Sequence, residues 1–138
     1  MNLFSKGKGL MGALRVNGVS ASNTLTKKAS VTTLTDATET LTAAMVVTNG
    51  GLLKGTPTST RAKTVPTGAL TCAALKGYAV GDTFEVNFIN LAAATHALTV
   101  TAATGATIVG SATVSAAESA TYRVLVSATD TVVWHRVA

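Results

Sequence analysis

The chain has 138 residues, of which 47% are hydrophobic, 4% aromatic and only 12% charged. Its length suits one domain with a single core. The charged fraction is about half of the ~25% typical of soluble domains, which predicts a surface that is neutral or covered by partners. A membrane span needs about 20 consecutive, mostly apolar residues. Thr, Asn, Ser and Gly interrupt the long uncharged stretch 86–117, so the sequence predicts no membrane association.

The net charge of +5 is confined to the N-terminal end. Residues 31–138 contain six basic and six acidic side chains, whereas residues 1–30 contain five basic side chains and no acid. Those five are Lys6, Lys8, Arg15, Lys27 and Lys28. Because the segment contains several glycines and no sustained hydrophobic period, we predict that residues 1–30 form an extended basic arm that becomes ordered only against a partner.

Three fates are open for this arm: contact with phosphate, contact with an acidic protein surface, or simple solvation. Basic tails bind nucleic acid non-specifically, but five charges spread over 30 residues make nucleic acid the less favoured partner. The arm is also not expected to be a secretory signal, because Lys, Gly and Arg interrupt its apolar residues before an apolar core of 7 to 15 residues can form.

The next segment, 31–47, is rich in β-branched residues, which favour strands. Asn49, Gly50 and Gly51 tolerate positive φ and predict a hairpin into residues 52–56. One helix is predicted within residues 65–78, because Thr67 can cap its start and Gly77 can end it in a left-handed conformation. This helix should have two turns at most.

From residue 80 onward, turn residues alternate with short β-type segments. These segments are 83–91, 96–102, 106–110, 111–115, 120–127 and 131–137. Short strands at this spacing predict an antiparallel β-sandwich or barrel. Alternation places Phe84, Val86 and Phe88 on one face, and Tyr122 with Val124 on another. The uncharged stretch 86–117 indicates strands covered on both faces, with neighbouring subunits as the expected second cover.

A nucleotide site is not predicted. Gly7, Gly9 and Gly12 spell G-x-G-x-x-G, but the dinucleotide fingerprint also requires a preceding strand, a following helix and an acid about 20 residues on. Lys27 and Lys28 stand where that acid should be.

Catalytic and metal sites are not predicted either. His96 and His135 lack the paired spacing of a zinc site, and Cys72 reads as a small buried hydrophobe. Ser119 lacks the G-x-S-x-G context of an activated serine. Asp82 is expected to bond backbone N–H groups in its turn rather than to share acid and base roles with Glu85. The sequence therefore predicts a protein that is not an enzyme and binds no cofactor or metal.

A family resemblance supplies the functional expectation. Pro66-Thr67 before a short Ala/Leu helix, "VGDTFEVNFIN", "LTVTAATGATIVG" and "SAAESATYRVLV" resemble, in that order, the β domain of tailed-bacteriophage capsid decoration (cement) proteins, over about residues 60–137. The resemblance implies a non-enzymatic protein on the outside of an icosahedral head, usually a homotrimer, that clamps neighbouring major capsid proteins against internal DNA pressure. The family pattern has no catalytic residues.

We therefore expect an all-β chain: an antiparallel β-sandwich or jelly-roll-like decoration domain (31–138) with one short helix and an extended N-terminal arm (1–30). The expected partners are the major capsid protein and further copies of this chain, and the five basic arm residues are the candidate capsid contacts. The expected location is the outer capsid surface of the virion, after synthesis in the host cytoplasm. The alternative is a virion tail or head-fibre module that binds a receptor, because related β modules occur there and fold alone does not assign location.

Overall fold

The computed structural model describes residues 29–138, which form two β-sheets, one α-helix and one π-helical turn. The ten strands are β1 (Val31–Thr33), β2 (Glu39–Thr40), β3 (Leu52–Gly55), β4 (Arg61–Thr64), β5 (Thr83–Asn90), β6 (Leu98–Thr101), β7 (Ala106–Val109), β8 (Thr113–Val114), β9 (Ser119–Ala128) and β10 (Thr131–Arg136). The helix α1 spans Gly68–Leu75, and the π-helical turn spans Ala44–Thr48. The predicted arm residues Lys6, Lys8, Arg15, Lys27 and Lys28 lie outside the described residues.

The expectation of a predominantly β chain is confirmed, but the expectation of antiparallel sheets is wrong. One sheet has six strands in the order β1-β3-β5-β9-β10-β7, and the other has four in the order β2-β4-β6-β8. Strands β1, β3 and β5 run parallel to one another, as do β2, β4 and β6, and β7 is parallel to β10. Only β5-β9, β9-β10 and β6-β8 are antiparallel strand pairs within these two sheets.

The parallel pairing follows from the path of the chain. From β1 to β6, successive strands alternate between the two sheets, so each strand neighbours the one two places away in sequence. A chain that crosses to the other sheet and returns enters the first sheet again in its original direction, which gives a parallel pair. Parallel neighbours need such a crossover, whereas antiparallel neighbours can be joined by a tight turn.

The hairpin predicted at Asn49-Gly50-Gly51 is also wrong. Residues 44–48 form the π-helical turn instead of a strand, and β3 pairs with β1 and β5, both in parallel. The predicted positive φ is present, at 92° for Gly50 and 67° for Gly51. A Cβ on Gly51 would lie 2.9 Å from the carbonyl oxygens of Glu85 and Val46. Here the glycines allow a close approach between backbones at the entrance to β3.

The C-terminal elements match their predictions closely. Each of the six segments predicted from residue 80 onward contains one strand, β5 to β10. The predicted helix is α1, and the Thr67 Oγ1 accepts a hydrogen bond from the Leu70 N–H at 3.2 Å. Positive φ begins at Lys76 (44°) and continues at Gly77 (77°), one residue earlier than predicted.

Side chains from both sheets and from α1 form one hydrophobic core. Its aromatic centre is Tyr122, whose ring packs edge-on at 5.8 Å from Phe88 and 6.0 Å from Trp134, centroid to centroid. Val86 and Val124 are buried beside them, as alternation predicts, and Cys72 is buried as expected. Among residues 29–138, no helix is long and apolar enough to cross a membrane.

Candidate interaction surfaces

The side chains of the six-stranded sheet that point away from the core form a surface that we call the outer six-stranded face. Alternation along each strand assigns its members, because neighbours in sequence point to opposite sides of a sheet. Its apolar members are Val31, Leu52, Ile89, Val109, Leu125, Val133 and Val137. Leu125 on β9 and Val133 on β10 lie directly opposite each other, which places two apolar side chains in contact range on adjacent strands.

The polar groups at the centre of this face bond one another. Glu85 Oε2 accepts a hydrogen bond from Arg123 Nη2 at 2.8 Å, across the β5-β9 pair. In the adjacent row, the Thr121 hydroxyl donates to the Asn87 side-chain oxygen at 2.7 Å. Both pairs are cross-strand neighbours, the geometry in which side chains stabilise a sheet. The face therefore combines exposed valines and half-buried apolar side chains with four central polar side chains that bond one another within the protomer.

A depression of about 390 Å³ lies at one end of this face, where β5 ends and β9 begins. Ile89, Leu91, Glu118 and Ser119 line it, together with Asn90 and Ala117. The buried Asn90 amide fixes its floor, because Nδ2 donates to the carbonyls of His96 and Val114 at 2.8 and 2.9 Å, and Oδ1 accepts from the Ala92 N–H at 3.0 Å. The depression is open, and Glu118 is the one titratable side chain in its lining.

The outward side chains of the four-stranded sheet form a different surface, the outer four-stranded face. Its members are Thr40, Ala62, Thr64, Thr99, Thr101 and Thr113. None of these six side chains carries a charge. Of their hydroxyls, only that of Thr101 forms a hydrogen bond within residues 29–138, and that bond to the Thr99 carbonyl is long, at 3.5 Å. This face is flat and rich in hydroxyl groups that are available to water.

A cluster of charged and hydroxyl side chains holds the loop between β1 and β2. We call it the polar clamp; it consists of Thr35, Asp36, Glu39, Thr58, Arg61 and Lys63. The fully buried Lys63 ammonium donates to the Thr35 carbonyl at 2.7 Å, to the Ala37 carbonyl at 2.6 Å and to Glu39 Oε2 at 2.8 Å. Three donors meet three acceptors, which is the condition under which a buried ammonium is tolerated.

The second half of the clamp joins the same loop to the chain before β4. Asp36 accepts hydrogen bonds from the Arg61 Nε at 2.8 Å and from the Thr58 hydroxyl at 2.6 Å, and the Thr58 N–H adds a third at 3.1 Å. The Arg61 and Thr58 hydrogen bonds hold the pKa of Asp36 well below its usual range. Burial alone would raise the pKa of Glu39, but hydrogen bonds from Lys63 and Thr35 outweigh it, so this pKa is also lowered. Both carboxylates therefore stay ionised to lower pH than they would without these partners.

The other residues considered in the sequence analysis do not come together in one site within residues 29–138. Asp82 accepts a hydrogen bond from the Ala79 N–H at 2.8 Å, which confirms its predicted turn role, while Glu85 pairs with Arg123. His135 lies on β10 beside Trp134, and His96 lies in the loop after β5, as predicted. In residues 29–138, no three His, Cys, Asp or Glu side chains are grouped as metal ligands would be.

Sequence reasoning missed Lys63 and Asn90, two buried polar side chains that each make three hydrogen bonds. Lys63 lies in a four-residue strand that was not predicted, and its carboxylate partner is 24 positions away. Asn90 is the last residue of β5 and the second-last residue of the predicted segment 83–91. An amide that bonds backbone groups would be expected where a strand ends, and that position was the available signal. No family model, no curated protein and no solved structure matches this chain.

Proposed function

We propose that this chain is a capsid decoration protein, which binds the outer surface of a phage head and stabilises contacts between major capsid proteins. The proposal takes its functional content from the family resemblance of residues 60–137. The observation that carries it further is the separation of charge: the net +5 lies in residues 1–30, while the remainder carries equal numbers of acids and bases. A neutral β domain with a basic leading segment is suited to a structural role on a charged shell.

The neutrality of the domain is reinforced by pairing. Three of its six acids form ion pairs, Asp36 with Arg61, Glu39 with Lys63 and Glu85 with Arg123. The Asp82 carboxylate is engaged by a turn N–H. The six charged side chains without an ion-pair partner in residues 29–138 are three bases and three acids, so they also sum to zero. The domain therefore has no net charge to repel or attract a partner at long range, and protein contact would depend on shape and apolar area.

The finer architecture belongs to the same proposal: the two sheets pack face to face as a β-sandwich. Supporting this, buried residues from both sheets belong to one cluster, including Val124 and Trp134 from the six-stranded sheet and Leu98 and Val100 from the four-stranded sheet. Sheets packed in this way share a core about 10 Å thick. The parallel strand pairs argue against the jelly-roll variant, which is built from antiparallel Greek keys.

The basic segment is proposed to lie against an acidic part of the major capsid protein. Lys6, Lys8, Arg15, Lys27 and Lys28 are its candidate contacts. Opposite surface charges speed association and make it sensitive to salt. Deletion of residues 1–28 should weaken attachment to purified heads and flatten its dependence on ionic strength. Unchanged attachment with the same salt dependence would contradict this assignment.

A receptor-binding tail or head-fibre module is the alternative. Proteins that bind sugar receptors commonly stack the sugar on an exposed Tyr or Trp ring. Tyr122 and Trp134 are fully buried, so among the Tyr and Trp residues of 29–138 only Tyr78 has an exposed part of its surface. The decoration role is favoured for this reason.

Copy number separates the two roles. Quantitative mass spectrometry of purified particles, with the major capsid protein as internal reference, should give a number of the same order as the capsid protein. A number that matches tail components would support the tail role instead. Absence from the particle would overturn both structural roles.

A further inference from the structure

We propose that the outer six-stranded face is the surface through which copies of this chain associate with one another. This inference rests on the proposed decoration function, for which the sequence analysis expects further copies of this chain as partners, and it names the surface responsible. The occupant is a second copy of the same chain, so the contact brings the same side chains of each protomer together around a symmetry axis.

The first argument is the exposed apolar surface on this face. Val31, Val109 and Val137 are 53%, 44% and 56% exposed, and they account for half of the six large hydrophobic side chains that are exposed in residues 29–138. The half-buried Leu125 and Val133 lie between them in the sheet order. Exposed apolar side chains that share one face of a sheet mark a candidate protein contact more strongly than the same residues scattered over the whole surface do.

The second argument concerns the polar groups that an interface would remove from water. A buried polar group without a partner costs about 1–3 kcal/mol. At the centre of this face, Glu85 already bonds Arg123 and Asn87 already bonds Thr121. Burial of this central region would therefore leave its four polar side chains with hydrogen-bond partners inside the protomer.

The third argument is charge. The face presents Lys54, Glu85 and Arg123, and Glu118 lies at the rim of its depression. Two bases and two acids make the surface neutral with both signs present. A nucleic acid or a strongly acidic partner would require a uniformly basic surface. A second copy of this face instead presents acidic side chains to the bases and basic side chains to the acids.

The fourth argument is area. With about 4.8 Å between strands and about 3.3 Å per residue, the six strands cover a footprint of about 500–600 Å². Two such faces bury about 1,000–1,200 Å² in total, which reaches the lower limit of stable, specific interfaces. The depression beside Leu91 can receive an apolar side chain of the second protomer.

The test is the mass of the purified protein in solution, measured by size-exclusion chromatography with light scattering. The full-length chain should form an oligomer, and Val133→Asp should convert it to a monomer at the same concentration. Thr99→Asp is the matched control, because Thr99 is a half-buried, β-branched, outward-facing residue of the other sheet; this variant should keep the wild-type mass. Circular dichroism establishes that both variants are folded.

If Val133→Asp does not fold, Val137→Asp provides the same test, because residue 137 follows the last strand and is more than half exposed. A monomeric wild-type chain, or a folded Val133→Asp or Val137→Asp variant with the wild-type mass, would overturn the inference. Loss of the oligomer in Thr99→Asp would overturn it too. These results do not depend on capsids. If Val133→Asp breaks the oligomer as expected but the wild-type chain does not bind heads, the proposed function is contradicted and this inference stands.

Discussion

At the scale of single residues, the buried Lys63 side chain stabilises the fold because it donates hydrogen bonds to three acceptors. Replacing it with methionine retains much of the volume but leaves the Thr35 and Ala37 carbonyls and Glu39 Oε2 without their donor. Removing one partner of a buried pair commonly costs about 3–5 kcal/mol. Since the Glu39 side chain retains 18% exposure and can be partly hydrated, we expect Lys63→Met to lower the free energy of unfolding by about 2–4 kcal/mol.

Urea unfolding measures this change. Lys76→Met is the control, because Lys76 is exposed and an exposed substitution usually changes stability by less than about 0.5 kcal/mol. A loss in Lys63→Met no greater than in the control would mean that the polar clamp contributes little to stability.

The same clamp makes stability depend on pH. Hydrogen bonds from Lys63 and Thr35 lower the pKa of Glu39 below its ordinary value of 4.5. A carboxyl whose pKa is depressed by folding contributes stability that is present above the unfolded-state pKa and is lost as pH falls through the folded-state pKa. The wild-type chain should therefore lose stability as pH falls below about 4.5, and Glu39→Gln should lose less over the same interval.

Thermal or urea unfolding at a series of pH values gives the comparison. Glu118→Gln removes an exposed carboxylate that makes no ion pair within residues 29–138, so it controls for the change in net charge. Parallel pH profiles for Glu39→Gln and the wild type would contradict the prediction.

At the scale of elements, helix α1 depends on its first residue. Gly68 has ordinary negative φ, but a Cβ at this position would clash with the backbone carbonyl oxygens of Asp130 and Gly105. Backbone oxygens in turns cannot rotate away as a side chain can, and overpacking typically costs about 1–3 kcal/mol. Gly68→Ala should therefore reach the upper part of that range, although alanine has the higher helix propensity.

Thr67→Ala provides the comparison within the same helix, because it removes the cap to the Leu70 N–H without adding volume. Loss of such a cap costs about 1 kcal/mol. Chemical denaturation should rank Gly68→Ala as the more destabilising of the two. The reverse order would indicate that the helix start shifts easily to accommodate a methyl group.

Elements also differ in how well the sequence predicts them. Strands β5, β9 and β10 have eight, ten and six residues, enough for alternation to identify both the strand and its buried face. Strands β2 and β4 have two and four residues, which is too short for a period to be recognised, whereas the equally short β6, β7 and β8 were located from the turn residues that flank them. Parallel pairing has no local signal at all, since partners such as Leu53 and Phe88 are joined through a crossover to the other sheet. Alternation in the sequence separates the apolar residues on the two sides of each strand. The register of strand pairing was needed to show which of them share the outer six-stranded face.

At the scale of the whole molecule, the topology predicts an order of folding. Strands β9 and β10 are joined by the short turn at Thr129-Asp130, whereas β4 and β6 pair in parallel across a long connection that includes α1. Closing a long loop costs conformational entropy before its contacts form. The β9-β10 hairpin and its pairing with β5 should therefore be formed in the transition state, and the parallel strands of the smaller sheet should join later.

Two matched valines test this order. Val126 in β9 and Val100 in β6 are both fully or almost fully buried, and replacing either with alanine should cost about 1–3 kcal/mol. If the hairpin forms early, Val126→Ala should mainly slow folding, while Val100→Ala should mainly accelerate unfolding. Stopped-flow chevron plots in urea separate the two rates. If both variants divide their loss of stability in the same way between slower folding and faster unfolding, the two sheets form together. If only Val100→Ala folds more slowly, the parallel strands form the nucleus and the hairpin is added to it.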